Sequence, residues 1–216
     1  MKPTFVIAVA ALLGMAVPAA ADHRPGHTAP RNITISATLT TVKFGGSVTL
    51  SGKLNGSNNA SRTINIDQDV FPVDTFTDAG TATTNATGDW TFTHKPTANT
   101  RYRARSGSAD SQNVDVMVRP AISLRLSDRT PSPGQRVRFS GRLCPEHDGV
   151  AVALQRRFGK VWRTLRKPVL KDIAGSTCSS YSKRLAVRRD GAYRVRFLGD
   201  ADHVAGNSGV RRANVA

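Results

Sequence analysis

The chain has 216 residues, with 31 Lys+Arg against 15 Asp+Glu for a formal charge of +16, and is 39% hydrophobic and 21% charged. Those proportions are globular and exclude a wholly disordered chain and a multi-span membrane protein. Two cysteines exclude a four-sulfur zinc site and a disulfide-dense miniature scaffold.

In chain order, Lys2, the apolar run Phe5 to Val17 and the small residues Ala19-Ala20-Ala21 have the pattern of a secretory signal peptide over residues 1–21, with Asp22 opening the mature chain. The run is shorter than the roughly 20 residues that cross a bilayer, and no later segment is long enough. The expectation is an extracellular, secreted protein without a membrane span after cleavage. Residues 22–31 carry two Pro and one Gly without hydrophobic periodicity and read as a flexible lead. His23 and His27, which sit there, read as solvated tail histidines.

From residue 32 onward, short segments alternate apolar and polar residues between Gly, Asn, Asp, Ser and Pro: Ile33 to Ala37, Val48 to Gly52, Ile64 to Ile66, Trp90 to Thr93, Tyr102 to Ala104 and Val114 to Val118. That is the signature of half-buried antiparallel strands, and no stretch of ten residues has helical spacing. The fold class predicted is all-β. The chain also repeats itself: Phe44-Gly-Gly-Ser-Val-Thr-Leu-Ser-Gly-Lys-Leu54 returns as Pro133-Gly-Gln-Arg-Val-Arg-Phe-Ser-Gly-Arg-Leu143, and Tyr102-Arg-Ala-Arg returns as Tyr193-Arg-Val-Arg. Offsets of 89 and 91 residues suit two copies of one sandwich domain, over residues 32–118 and 119–216, with the seam at Arg119-Pro120.

These residues resemble a family. The pattern Gly-x-x-Val-x-apolar-Ser-Gly-basic-Leu, then Val152 to Arg157 with a turn at Gly159 and Trp162, then Tyr193 to Asp200 is similar to the tandem Ig-like domains of secreted and surface proteins of actinobacteria and their relatives. The resemblance implies two Ig-like antiparallel β-sandwiches acting as spacers or adhesive modules. It implies tyrosine corners at Tyr102 and Tyr193, each opening a late strand. It also places Cys144, after the second strand of its domain, beside Cys178, before the fifth, so that an exported chain bridges them. Of Trp90 and Phe92, one is expected to face solvent or a neighbouring loop, with Trp90 in a core or interdomain role.

Charge divides the two units. Residues 32–118 carry seven Lys/Arg and seven Asp, whereas residues 119–216 carry 21 Lys/Arg against seven acids, a net +14. Such a module attracts polyanions whatever their sequence. Arg136 and Arg138 flank Val137, and Arg194 and Arg196 flank Val195. In opposite sheets these arginines wrap the domain instead of forming one stripe, which opposes sequence-specific nucleic-acid readout. The candidate binding face is Arg157, Trp162, Arg194, Arg196 and Arg211, where guanidinium groups beside an indole grip sugar or phosphate. Its expected partner is an anionic cell-wall polymer or polysaccharide, with an unidentified protein as a further candidate.

Catalysis finds little in the chain. No Gly-x-Ser-x-Gly elbow, His-Glu-x-x-His or phosphate loop occurs. A hydrolase, the alternative of another class, would centre on His147 or His203. Asp200 and Asp202 with His203 read as a turn, and no cofactor or metal is expected, although Asp67 and Asp69 share a strand face that raises the question of calcium. The sequence reading is a non-enzymatic, secreted or surface-associated structural and adhesive module.

Overall fold

Period-two alternation becomes strand throughout residues 32–216, the part of the chain that the computed structural model describes, and none of these residues is helical. The expected signal peptide and lead, residues 1–31, lie outside the described residues. Before Pro120 the strands are β1 (Ser36–Ala37), β2 (Thr41–Lys43), β3 (Val48–Lys53), β4 (Thr63–Val70), β5 (Phe76–Thr83), β6 (Asp89–His94), β7 (Thr100–Ser106), β8 (Ala109–Asp110) and β9 (Val114–Arg119). After it come β10 (Ala121–Ile122), β11 (Arg125–Leu126), β12 (Gln135–Cys144), β13 (Ala153–Phe158), β14 (Val161–Arg166), β15 (Ser179–Val187), β16 (Gly191–Phe197), β17 (Gly206–Asn207) and β18 (Arg211–Ala213).

Each half builds two sheets around its own core. In the N-terminal half, β1-β3-β6 faces β2-β9-β7-β4-β5, with β8 on β7. Leu50 and Trp90 from the first sheet meet Ile64, Ile66, Tyr102 and Val116 from the second. In the C-terminal half, β12 pairs with β10, β11 and β15, and this sheet faces β14-β13-β16-β17 with β18 on β16. Val137, Phe139 and Tyr181 meet Leu154, Tyr193, Val195 and Phe197. No strand is shared between the halves, so the all-β reading holds as two sheet pairs with two separate cores. The late strands show the alternation most clearly: Tyr102, Ala104 and Ser106 are buried while Arg101, Arg103 and Arg105 between them stay half-exposed. Tyr193, Val195 and Phe197 are buried, with Arg194 and Arg196 between them.

The repeat is visible as matched backbone geometry. Gly45 and Gly134 open their repeats in turns at φ of 82° and 89°, a region closed to most side chains. Gly52 and Gly141 serve differently, by close approach. A Cβ at Gly52 would overlap the Thr34 carbonyl and lie 2.7 Å from Trp90 Cζ2, and one at Gly141 would overlap the Ser123 carbonyl and lie 2.6 Å from the Tyr181 hydroxyl.

Two local expectations are corrected. Trp90 and Phe92 do not divide between core and solvent. Two residues apart on β6, they share its inner face, with Trp90 buried and Phe92 packed against the same core. Neither expected tyrosine corner forms its backbone bond among the described residues. The Tyr102 hydroxyl instead meets His94 Nδ1 at 2.8 Å, from β6 in the facing sheet. The Tyr193 ring lies 4.8 Å from Phe139 and beneath Arg156.

Among the described residues, the loop before β17 carries hydrogen bonds between the halves. The Asn99 amide donates to Asp202 O at 2.7 Å and the Val204 amide to Val118 O at 2.9 Å. Asn99 Oδ1 accepts from the Val118 amide at 2.8 Å, tying the two contact points of the N-terminal half together.

Candidate functional site

The predicted arginine and tryptophan face lies on the outer side of the β14-β13-β16 sheet. Registers Arg157↔Trp162, Gln155↔Arg194 and Ala153↔Arg196 put these side chains on one surface, since directly paired antiparallel residues point the same way. The Arg194 guanidinium stacks 4.4 Å over the Trp162 ring and donates to Gln155 Oε1 at 2.8 Å. Burial and the neighbouring charge of Arg196 hold the Arg194 guanidinium below its ordinary pKa. Arg157 donates to Gly159 O at 2.9 Å, while Arg196 Nε is buried without a partner. Arg211 does not belong to this face. Its register with Tyr193 turns it to the inner side, where its Nε donates to Leu124 O at 3.1 Å. Arg212, paired with Ala192, holds the outer row instead. One residue of register decides the difference.

A second basic surface, for which the sequence named Arg136 and Arg138 without assigning a binding face, covers the outer side of the β12–β15 pair. Arg138 and Arg184 are direct cross-strand partners, an arrangement that costs stability through like-charge repulsion. Beside them an open groove of about 840 Å³ is lined by Arg125, Arg138, Arg142 and Lys171, with the hydroxyl-bearing Ser140, Ser180 and Ser182 between and Asp172 at one wall. Among the described residues, no Lys or Arg of the C-terminal half pairs with a carboxylate, whereas Lys53, Arg101, Arg103 and Arg105 of the N-terminal half all do. The charge of the C-terminal half is therefore uncompensated as well as large. Arg138 and Arg194 lie in opposite sheets, so the charge wraps this half.

The carboxylates raised for calcium are otherwise occupied. Asp67 accepts from Arg103 Nε at 2.9 Å and from Arg105 Nε at 2.6 Å, and Asp69 accepts the Thr75 amide at 3.0 Å. Burial opposes the Asp67 charge, yet the hydrogen bonds and charges of Arg105 and Arg103 outweigh it and hold its pKa below the ordinary 3.8. With the folded value depressed, this stabilisation is complete above the unfolded pKa and is lost as pH falls through the folded one. Asp67→Asn is expected to cost about 2 kcal/mol at neutral pH and to flatten the decline in stability below pH 3.8. Urea denaturation at pH 7 and pH 3 checks both.

His147 and His203, the residues on which a hydrolase would centre, are brought together with ring centroids 4.8 Å apart, and His147 packs against Phe197 at the same distance. They are separated by 56 positions and arrive on different loops, so nothing in their local spacing announced the pair. Asp200 lies beside them, its Oδ2 3.1 Å from His147 Nε2. The nearby Ser179 hydroxyl is buried, accepts the His147 backbone amide at 2.7 Å and donates to Asp148 at 2.5 Å.

No protein-family model matches the chain, and no curated protein matches its sequence.

Proposed function

We propose that the chain is a non-enzymatic, exported Ig-like adhesive module whose C-terminal half holds an anionic polymer along the β12–β15 groove. The observation that carries this reading is the directly opposed, unneutralised Arg138 and Arg184 beside a groove lined by Arg125, Arg142 and Lys171. Cross-strand repulsion of that kind is relieved by a bound polyanion. The serine hydroxyls between the cations suit a hydroxylated, charged chain such as an acidic polysaccharide or a polyol phosphate of the cell wall. The Cys144–Cys178 disulfide supports an oxidising, extracellular setting, as does the signal-peptide pattern of residues 1–21. No helix of the described residues is long and apolar enough to cross a membrane.

Binding to a sulfated polysaccharide, a teichoic-acid-type polymer and duplex DNA, followed across salt, tests the proposal. Replacing Arg138, Arg142 and Lys171 together by Ser should weaken polymer binding at least about tenfold at physiological salt and reduce the slope of log K against log salt by about 2. A second reading places the polymer on the indole face, carried by the stack of Arg194 on Trp162. In that case Trp162→Ala lowers affinity while the groove triple variant does so only as far as three charges anywhere on the surface would.

A further inference from the structure

The paired histidines at the junction of the halves present their nitrogens in a way that calls for a cation. His147 Nδ1 lies 2.9 Å from the Pro145 carbonyl oxygen, and His203 Nε2 lies 2.8 Å from the Thr97 carbonyl oxygen. A carbonyl only accepts, so each of these nitrogens carries the proton and donates it. In the neutral rings the lone pairs then fall on His147 Nε2 and His203 Nδ1. Both of those atoms are buried without a hydrogen-bond partner, on side chains only 6% and 3% exposed. They point to the same place. Together with an Asp200 carboxylate oxygen they lie within 4.8 Å of one another.

We propose that His147 Nε2, His203 Nδ1 and Asp200 Oδ2 form a binding site for a divalent transition-metal ion of the zinc class. Three acceptors facing one another without a donor are mutually repulsive until a positive centre lies between them. Two imidazole nitrogens and a carboxylate are a borderline donor set that suits zinc over calcium or magnesium. The surroundings have the form such sites need. Each ring is fixed in its tautomer by a backbone carbonyl, the role outer partners play for metal-bound histidines. The second Asp200 oxygen is already used, accepting the His203 amide at 2.8 Å and closing the turn that carries both ligands. The geometry is near contraction. Zinc–ligand bonds of about 2.0–2.1 Å give a tetrahedral edge of about 3.3 Å. His147 Nε2 and Asp200 Oδ2 stand at 3.1 Å, so His203 has the only sizeable approach to make. Asp202 Oδ2, 3.8 Å from His203 Nδ1, or a water completes four ligands.

The site also joins the two halves. His203 holds Thr97, and its neighbours Asp202 and Val204 bond Asn99 and Val118, so a metal that pins this turn pins the interface.

The test uses the full chain carrying His23→Ala and His27→Ala, which removes the tail imidazoles. Titration with Co2+ should give one equivalent with a visible d–d band that Zn2+ abolishes, and Asp200→Asn or His203→Gln should each weaken binding about 100-fold or more. In the chain with its site intact, Zn2+ should slow amide exchange over residues 199–205 and raise the thermal midpoint by about 5 °C or more, with EDTA reversing both. The second measurement stands even where the variants do not fold. The proposal is overturned if Co2+ gives no band and Zn2+ no protection, or if binding persists undiminished in folded His147→Gln/His203→Gln protein. A thermal midpoint that ignores both metal and chelator in the chain with its site intact would also overturn it.

Discussion

Gly141→Ala should cost the C-terminal core about 3 kcal/mol or more, whereas Gly134→Ala, seven positions earlier in the same repeat, should cost about 1 to 2 kcal/mol. The two substitutions add the same methyl group and fail for different reasons. At Gly134 the space is open, and the penalty is the φ of 89° alone. At Gly141 the methyl would overlap the Ser123 carbonyl and crowd the Tyr181 hydroxyl. That carbonyl is part of a backbone tied to β12 on both sides, since the Ser123 amide donates to Arg142 O at 3.0 Å and the Arg142 amide to Ser123 Oγ at 2.9 Å. Nothing flexible is available to yield. The Tyr181 hydroxyl donates to the same Ser123 carbonyl, so the methyl breaks that bond as well. Tyr181→Phe should therefore cost less in the Gly141→Ala background than in the unmodified chain, and a double-mutant cycle measured by urea denaturation reads the difference. Gly52→Ala should behave in the N-terminal half as Gly141→Ala does in the C-terminal half, because Thr34 and Trp90 stand where Ser123 and Tyr181 do. Equal costs at Gly134 and Gly141 would show that close approach is not what the Ser-Gly repeat preserves.

That pair of glycines marks how far sequence reasoning reached. Alternation exposed the strands because one face of each sheet is buried, and the 89-residue offset exposed the duplication because the backbone demands at Gly45 and Gly52 recur at Gly134 and Gly141, and the buried Leu54 recurs as Leu143. Both are local properties of the chain. The candidate surfaces are not. Arg138 and Arg184 lie 46 positions apart and become a repelling pair only through the β12–β15 register. Arg211 and Arg212 are indistinguishable by composition, and the pairing of β18 with β16 alone decides that Arg212 joins the Trp162 face. His147 and His203 belong to loops whose approach depends on how β12 and β16 leave their sheets. Trp90 and Phe92 were misread, although their spacing of two puts both on the inner face of β6. Asp67 was an ambiguous carboxylate until Arg103 and Arg105 on the neighbouring strand took its oxygens.

Replacing Cys144 and Cys178 by Ser should destabilise the C-terminal half by about 3 to 4 kcal/mol, a fall of roughly 15 to 30 °C in its thermal midpoint. The bridge joins the end of β12 to the residue just before β15, closing a loop over a separation of 34. In the chain-entropy account the gain comes from restricting the unfolded chain. The N-terminal half has no cysteine and its own core, so it should hold its midpoint. The two tryptophans separate the readings: Trp90 lies in the N-terminal core and Trp162 on the outer sheet of the C-terminal half. With Trp162→Phe, the remaining indole reports the N-terminal transition alone. If the Trp90 transition falls as far as the rest, the loop contacts of Asn99 and Val118 with Asp202 and Val204 couple the halves into one cooperative unit. The bridge also bears on function. The closed loop carries Lys171, Asp172 and Ile173, which form one wall of the groove whose floor is β12 and β15. A chain that is still folded but lacks the bridge should therefore bind the anionic polymer more weakly, with its salt slope unchanged. The charges remain, and what is lost is the fixed position of Lys171 relative to Arg138 and Arg142.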